Sequence, residues 1–122
     1  MTLQELYRNM DGDYNQALCV LHVEKLIDKH IRKFQNNGVV DAVLTAGKDM
    51  DDNALFETTH ALKGVSANLG LVGLSEIASE LTEEFRPGHA RTLSDAEVAA
   101  RLEELETRYR KTVEAIKQYV QA

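Results

Sequence analysis

Residues 51–70 read DDNALFETTHALKGVSANLG, and this stretch decides the fold. Asp49, Asp51 and Asp52 supply N-cap candidates and favourable first-turn charge for a helix. Leu55, Leu62, Val65 and Leu69 then recur at helical spacing, and Gly70 is a natural C-terminal stop. The strict alternation of a half-buried strand is absent here and in the rest of the chain.

The same pattern extends outward. Leu74, Ile77, Ala78, Leu81 and Phe85 mark a following helix, which Pro87-Gly88 ends. His89 to Thr92 reads as a loop, and Ser94 or Asp95 caps a last helix carrying Val98, Leu102, Leu105, Tyr109, Val113, Ile116 and Val120. Toward the N-terminus, Val39, Val40, Val43 and Leu44 form a short apolar face that stops at Gly47. Asn36-Asn37-Gly38 breaks it from what precedes. Val23, Leu26, Ile27, His30, Ile31 and Phe34 predict one amphipathic helix over residues 14–36, and a short extra helix is expected near Leu3 to Tyr7. Substantial helices with one apolar face each bury those faces most simply side by side. The expected fold is all-α, an antiparallel four-helix bundle with a short extra N-terminal helix, as a single domain over residues 1–122.

Composition bounds the function. At 122 residues the chain is too short for both a nucleotide-binding catalytic domain and a substrate domain. With 20 acids against 14 bases, its net charge of -6 disfavours both nucleic acid and an anionic membrane surface as partners. The one cysteine, Cys19, forms no internal disulfide, and no run resembles a signal peptide or a membrane span. A cytoplasmic setting is expected, and Met1 with the self-contained length fits a free-standing protein.

Chemistry-bearing residues are few. No glycine-rich phosphate loop leads into Lys-Ser/Thr, and no Cys/His cluster has zinc spacing. Cys19 lies among Leu18, Val20 and Leu21 and reads as a buried, inert thiol. Of the four histidines, His30 falls on the apolar stripe and reads as a core or core-edge residue, while His22 and His89 read as surface residues.

His60 stands apart. At about 100° per residue, Leu62 lies roughly 200° round the helix from it, so His60 points away from the stripe of Leu62, Val65 and Leu69 and is expected to be exposed. Lys63 and Gly64 are its neighbours on the next turn. An exposed imidazole near neutral pH offers a ring-nitrogen lone pair, and an ammonium one turn on would stabilise a phosphoryl group attached to the ring. Glycine inside a helix costs about 0.5–1 kcal/mol relative to alanine. Here it leaves the surface bare for a second protein, with Ala61 and Ala67 keeping the surroundings low. The plainer readings are that Lys63 is a solvated charge, expected to be exposed, that Gly64 permits close helix packing, and that Ser66, Ala67 and Asn68 are small residues on a flank.

Thr59-His60-Ala61-Leu62-Lys63-Gly64, followed by Val65-Ser66-Ala67-Asn68-Leu69-Gly70, resembles the active-site helix of histidine-containing phosphotransfer (HPt) domains. The helix order from Asp13 to Val120 is similar to that family's bundle. The resemblance implies that His60 is the phosphoacceptor, Lys63 the phosphoryl-stabilising cation and Gly64 the clearance for a partner. Ala61, Ala67 and Asn68 would lie on or at the margin of the docking face. It further implies a phosphoryl carrier of a multistep two-component relay, taking the group from a receiver-domain phosphoaspartate and passing it to another receiver. Response-regulator receiver domains and a hybrid sensor kinase would be the partners. The chain would have no cofactor of its own, with Mg²⁺ carried by the receiver, and is expected to be a monomer.

Competing readings are a non-phosphorylated helical adaptor, a fragment of a chemotaxis-type kinase phosphotransfer domain, and the dimerising domain of a sensor kinase. The last usually has an acidic residue after the histidine and a proline soon after. Here Ala61 follows His60, and no proline comes before Pro87.

Overall fold

A computed structural model describes residues 1–121. It contains seven helices: α1 (Leu3–Asn9), α2 (Tyr14–Leu21), α3 (Glu24–Phe34), α4 (Val39–Lys48), α5 (Asp52–Asn68), α6 (Val72–Glu84) and α7 (Asp95–Gln121). The protein is all-α, and no strand occurs among the described residues.

Helix starts follow the side chains available to satisfy free backbone N–H groups. Asp51 caps α5 by accepting the Ala54 N–H at 3.1 Å. Ser94 caps α7 reciprocally: its hydroxyl accepts the Glu97 N–H at 3.1 Å, while its own N–H donates to the Glu97 carboxylate at 3.0 Å. A Thr2/Glu5 pair builds the same box at the start of α1.

Helices α4, α5, α6 and α7 close a ring, each packing on the next and α7 returning to α4. The most extensive pairing is α5 on α6, which residues 69–71 join by a tight turn. Leu55, Leu62, Leu74, Ile77, Ala78, Leu81, Val98, Leu105 and Ile116 are sealed in the core. The expected fold class holds, but two local expectations do not.

The helix expected over 14–36 is two helices. His22 takes φ 71°, and Val23 is extended with no side-chain cap for α3. An unbroken helix of that length would run straight for about 34 Å. The turn at His22 instead lets α2 pack on α5 while α3 packs on α7. Val23 and Leu26, assigned to the buried stripe, are consequently exposed at 50% and 40%. The short segment after Asn37 takes a place in the ring, and α4 runs through Gly47 rather than stopping there. A Cβ on Gly47 would collide with the Leu102 side chain, so this glycine serves α4–α7 contact.

The C-terminal end of α5 is held from the α1–α2 segment. The Tyr7 hydroxyl donates to the Leu69 carbonyl at 2.6 Å, the Gln16 side chain to the Ala67 carbonyl at 2.7 Å, and the Asp13 N–H to the Gly70 carbonyl at 2.7 Å. Gly70 has φ 68°, where an L side chain is strained, and a Cβ there would overlap the Asp13 carbonyl. At the opposite end of the α5–α6 hairpin, the buried Glu84 carboxylate accepts from the N–H groups of Thr92 and Leu93, both at 2.8 Å, and from the Thr92 hydroxyl at 2.7 Å. These bonds, that to the Leu93 N–H foremost, hold its pKa below the ordinary glutamate value despite desolvation.

Two stability predictions follow from these contacts. Gly70→Ala should cost at least about 2 kcal/mol in urea denaturation, combining left-handed strain with the backbone collision. Glu84→Gln should also be destabilising at neutral pH. Because the folded-state pKa of Glu84 is depressed, its contribution is fully present above the unfolded value of about 4.3 and is lost as pH falls through the folded value. The stability gap between wild type and Glu84→Gln should therefore narrow on acidification below about pH 4; a gap that stays constant would refute the linkage.

Candidate functional site

Helix α5 turns a continuous polar and small-residue face to solvent. Asn53, Glu57, His60, Ala61, Gly64 and Asn68 are all exposed along it, over about 22 Å of helix axis. On the opposite side Leu55, Thr59, Leu62 and Ser66 are buried. Ser66, expected on a flank, is inside because its hydroxyl donates to the Leu62 carbonyl at 2.6 Å and needs no water. Thr59, directly before His60, donates to the Leu55 carbonyl at 2.7 Å, and the buried Thr82 hydroxyl of α6 lies 3.1 Å from it. The Thr82 hydroxyl donates to the Ala78 carbonyl of its own helix at 2.7 Å, so both hydroxyl protons are satisfied within their own helices where α5 and α6 meet. The outward aim of His60 follows from the burial of Leu55, Thr59, Leu62 and Ser66 on the opposite side of α5.

The imidazole does not stand alone. The half-buried Phe56, one turn earlier, places its ring centroid 5.7 Å from that of His60 at 43°. The Arg86 guanidinium lies over the same Phe56 ring, 5.5 Å from its centroid. Arg86 also pairs with Glu83 at 2.7 Å. The Glu83 carboxyl sits below its ordinary value, through the Arg86 hydrogen bond first, with smaller contributions from the Arg86, Lys63 and His89 charges. Lys63 is thus close to Glu83 but is not its bonded partner.

Lys63 was expected to be exposed and is half-buried. It lies about 60° round the helix from His60, and its charge acts on Glu83 of α6. Gly64 is exposed, and a Cβ built on it would meet nothing within 4 Å. The packing explanation of this glycine therefore falls: no helix approaches it, and the open space belongs to the outer surface. Ala61 is exposed and Ala67 half-buried, and Asn68 lies at the lip of a groove shared with α3.

Other assignments change. His30 is exposed, because the α3 core face is centred on Ile27, Ile31 and Phe34 and His30 falls beyond its edge. Cys19 is exposed, since α2 buries only Ala17 and Cys19 lies about 200° round from it. His22 and His89 are exposed, as expected. The sequence reading missed Phe56, Glu83 and Arg86. The i, i+4 spacing of Phe56 to His60 was an available signal, whereas the approach of Arg86 depends on the α5–α6 pairing. Among the described residues, no group of three His, Cys, Asp or Glu side chains is placed to hold a metal ion. None of the described helices is long and apolar enough to cross a membrane.

In comparison with known proteins, the family model described as Hpt domain matches residues 2–119. No curated protein and no solved structure matches the chain.

The empty space at Gly64 carries a stability prediction. Gly64→Ala should stabilise the fold by about 0.5–1 kcal/mol, since the helix gains propensity and nothing is displaced. Thermal melts that show destabilisation would mean that the α5 surface is not free at this turn.

Proposed function

Because the chain belongs to the Hpt domain family, we propose that His60 is its phosphoacceptor and that the protein is a carrier in a multistep two-component relay. Hpt domains are phosphocarriers of phosphorelays rather than classical enzymes, and they interact with receiver domains. The observation that carries the assignment is the outward face of α5: an exposed imidazole, an ammonium stem beside it and an unfilled glycine one turn on.

In this reading a receiver-domain phosphoaspartate docks over Gly64 and Ala61, with Ala67 and Asn68 at the margin. The lone pair of a His60 ring nitrogen attacks phosphorus in line. The P–N bond forms as the acyl P–O bond breaks, and the aspartate departs as a carboxylate. Lys63 neutralises charge on the transferring oxygens, the principal demand of phosphoryl transfer. Mg²⁺ belongs to the receiver in this scheme. Acyl phosphate and phosphoramidate are both high-energy linkages, so a second receiver can take the group from His60 by the reverse step. The first donor would be the receiver of a hybrid sensor kinase, with the carrier acting as a cytoplasmic monomer.

Incubation with a phosphorylated receiver and Mg²⁺ should place an acid-labile, alkali-stable label on the wild-type chain and none on His60→Gln. Label persisting on His60→Gln would overturn the assignment. Lys63→Ala should slow transfer by about tenfold or more, the scale of one lost charge-assisted contact in the transition state. Its stability cost should stay below about 1 kcal/mol, because only a half-buried stem is removed. Replacing Gly64 with a bulky residue such as Gln should leave the fold intact and raise the receiver concentration needed for transfer.

A further inference from the structure

An imidazole standing in solvent has orientational freedom to lose before it can attack in line. On a helix its χ1 keeps two usable rotamers, and its χ2 is broad and roughly two-fold. One ring-nitrogen lone pair must nevertheless meet a phosphorus atom whose position the partner sets. Helical side chains lean back over the preceding turn, which brings His60 toward the residue four positions earlier. That residue is Phe56, and its ring meets the imidazole at 5.7 Å between centroids and 43° between planes.

Phe56 is itself held from two directions. It is half-buried and packs against the hydrophobic core. From α6 the Arg86 guanidinium lies over its ring, 5.5 Å from the centroid. Arg86 in turn grips both carboxylate oxygens of Glu83: its Nε donates to Oε2 at 2.9 Å and its Nη2 to Oε1 at 2.7 Å. A two-point pair of this kind orients the guanidinium plane. The contacts therefore run in one direction, from Glu83 through Arg86 and Phe56 to the imidazole.

We propose that Phe56 is a positioning residue for phosphoryl transfer, its ring restricting the His60 imidazole to the orientation that a docked phosphoaspartate needs. The proposal rests on the reading of His60 as phosphoacceptor and adds what aims it. The phenyl ring has no group that can donate a proton or neutralise charge on the transferring oxygens, so Phe56 acts only through His60. Lys63 and Phe56 thus contribute differently. Lys63 stabilises the transition-state charge, whereas Phe56 reduces the freedom the imidazole must give up. An aromatic contact biases a rotamer equilibrium by about two- to tenfold. Without it, a fraction of docked complexes hold the imidazole misdirected. That fraction lowers the transfer rate at saturation and leaves docking itself unchanged.

The experiment compares wild type, Phe56→Leu, Phe56→Met and Phe56→Tyr with a phosphorylated receiver from the same genome. Leucine and methionine both keep an apolar side chain on the half-buried position, so either variant that melts near wild type carries the test. The saturating transfer rate should fall about three- to tenfold in the leucine and methionine variants, with half-saturation held within about twofold. Phe56→Tyr, which restores a ring, should return the rate to within about twofold of wild type. In ¹H–¹³C spectra the His60 ring protons should carry a ring-current shift in wild type and Phe56→Tyr that disappears in the other two. Labelling by potassium phosphoramidate, a small donor that can approach from any direction, should be equal within about twofold in all four proteins. An unchanged saturating rate in a folded leucine or methionine variant would overturn the proposal. So would a loss carried by half-saturation alone, which would make Phe56 a docking contact, or an equal loss with phosphoramidate, which would make it a determinant of ring reactivity. Failure of every receiver to label the wild type, while phosphoramidate labels His60, would instead overturn the carrier reading and with it the role given to Phe56.

Discussion

The rest of the structure depends on how the C-terminal end of α5 is tied down. A helix end leaves carbonyls without intrahelical partners, and here Tyr7, Gln16 and the Asp13 N–H take those of Leu69, Ala67 and Gly70. These contacts reach across more than fifty residues of sequence and join the N-terminal segment to the helix that carries His60. Gly70 makes them possible, since its left-handed backbone turns the chain directly into α6 and the missing Cβ lets the Asp13 carbonyl approach. With one end clamped there and Leu55, Thr59, Leu62 and Ser66 buried along its inner side, α5 presents one fixed face to solvent.

That rigidity is what gives an exposed surface definite chemistry. A side chain in solvent is ordinarily free among rotamers, and the entropy of ordering it opposes any precise use. His60 is constrained on one side by the Phe56 ring, and Phe56 is itself covered by Arg86. The Arg86–Glu83 pair is solvent-exposed and contributes little to stability. Its consequence is local: it satisfies the Glu83 carboxylate, which also feels the charge of Lys63, so the lysine ammonium is not the bonded partner of Glu83.

For a phosphoryl carrier these features are economical. The transferred group needs in-line placement and charge neutralisation, and its metal and acidic pocket belong, on the proposed reading, to the receiver. A small bundle that presents one imidazole on a clamped helix is sufficient. The net charge of -6 describes the molecule as a whole.

The sequence alone determined that the chain is helical, where α5, α6 and α7 lie, and which face of α5 looks outward. Those are consequences of local periodicity and capping, which pairs three and four residues apart can carry. It also singled out His60, Lys63 and Gly64 as a group, through spacing on one helix and resemblance to one family. Tertiary structure decided what needs a second element. Residues 14–36 keep an apolar rhythm through His22 and Val23, so no local signal announced the turn there. The turn exists because α2 and α3 have different partners, α5 and α7, and it leaves Val23, Leu26, His30 and Cys19 in solvent. Lys63 is half-buried because α6 lies beside it, and Arg86 reaches the ring next to His60 only because the α5–α6 hairpin folds residues thirty apart onto each other. Periodicity within a helix states which residues share a face; only packing determines what that face meets.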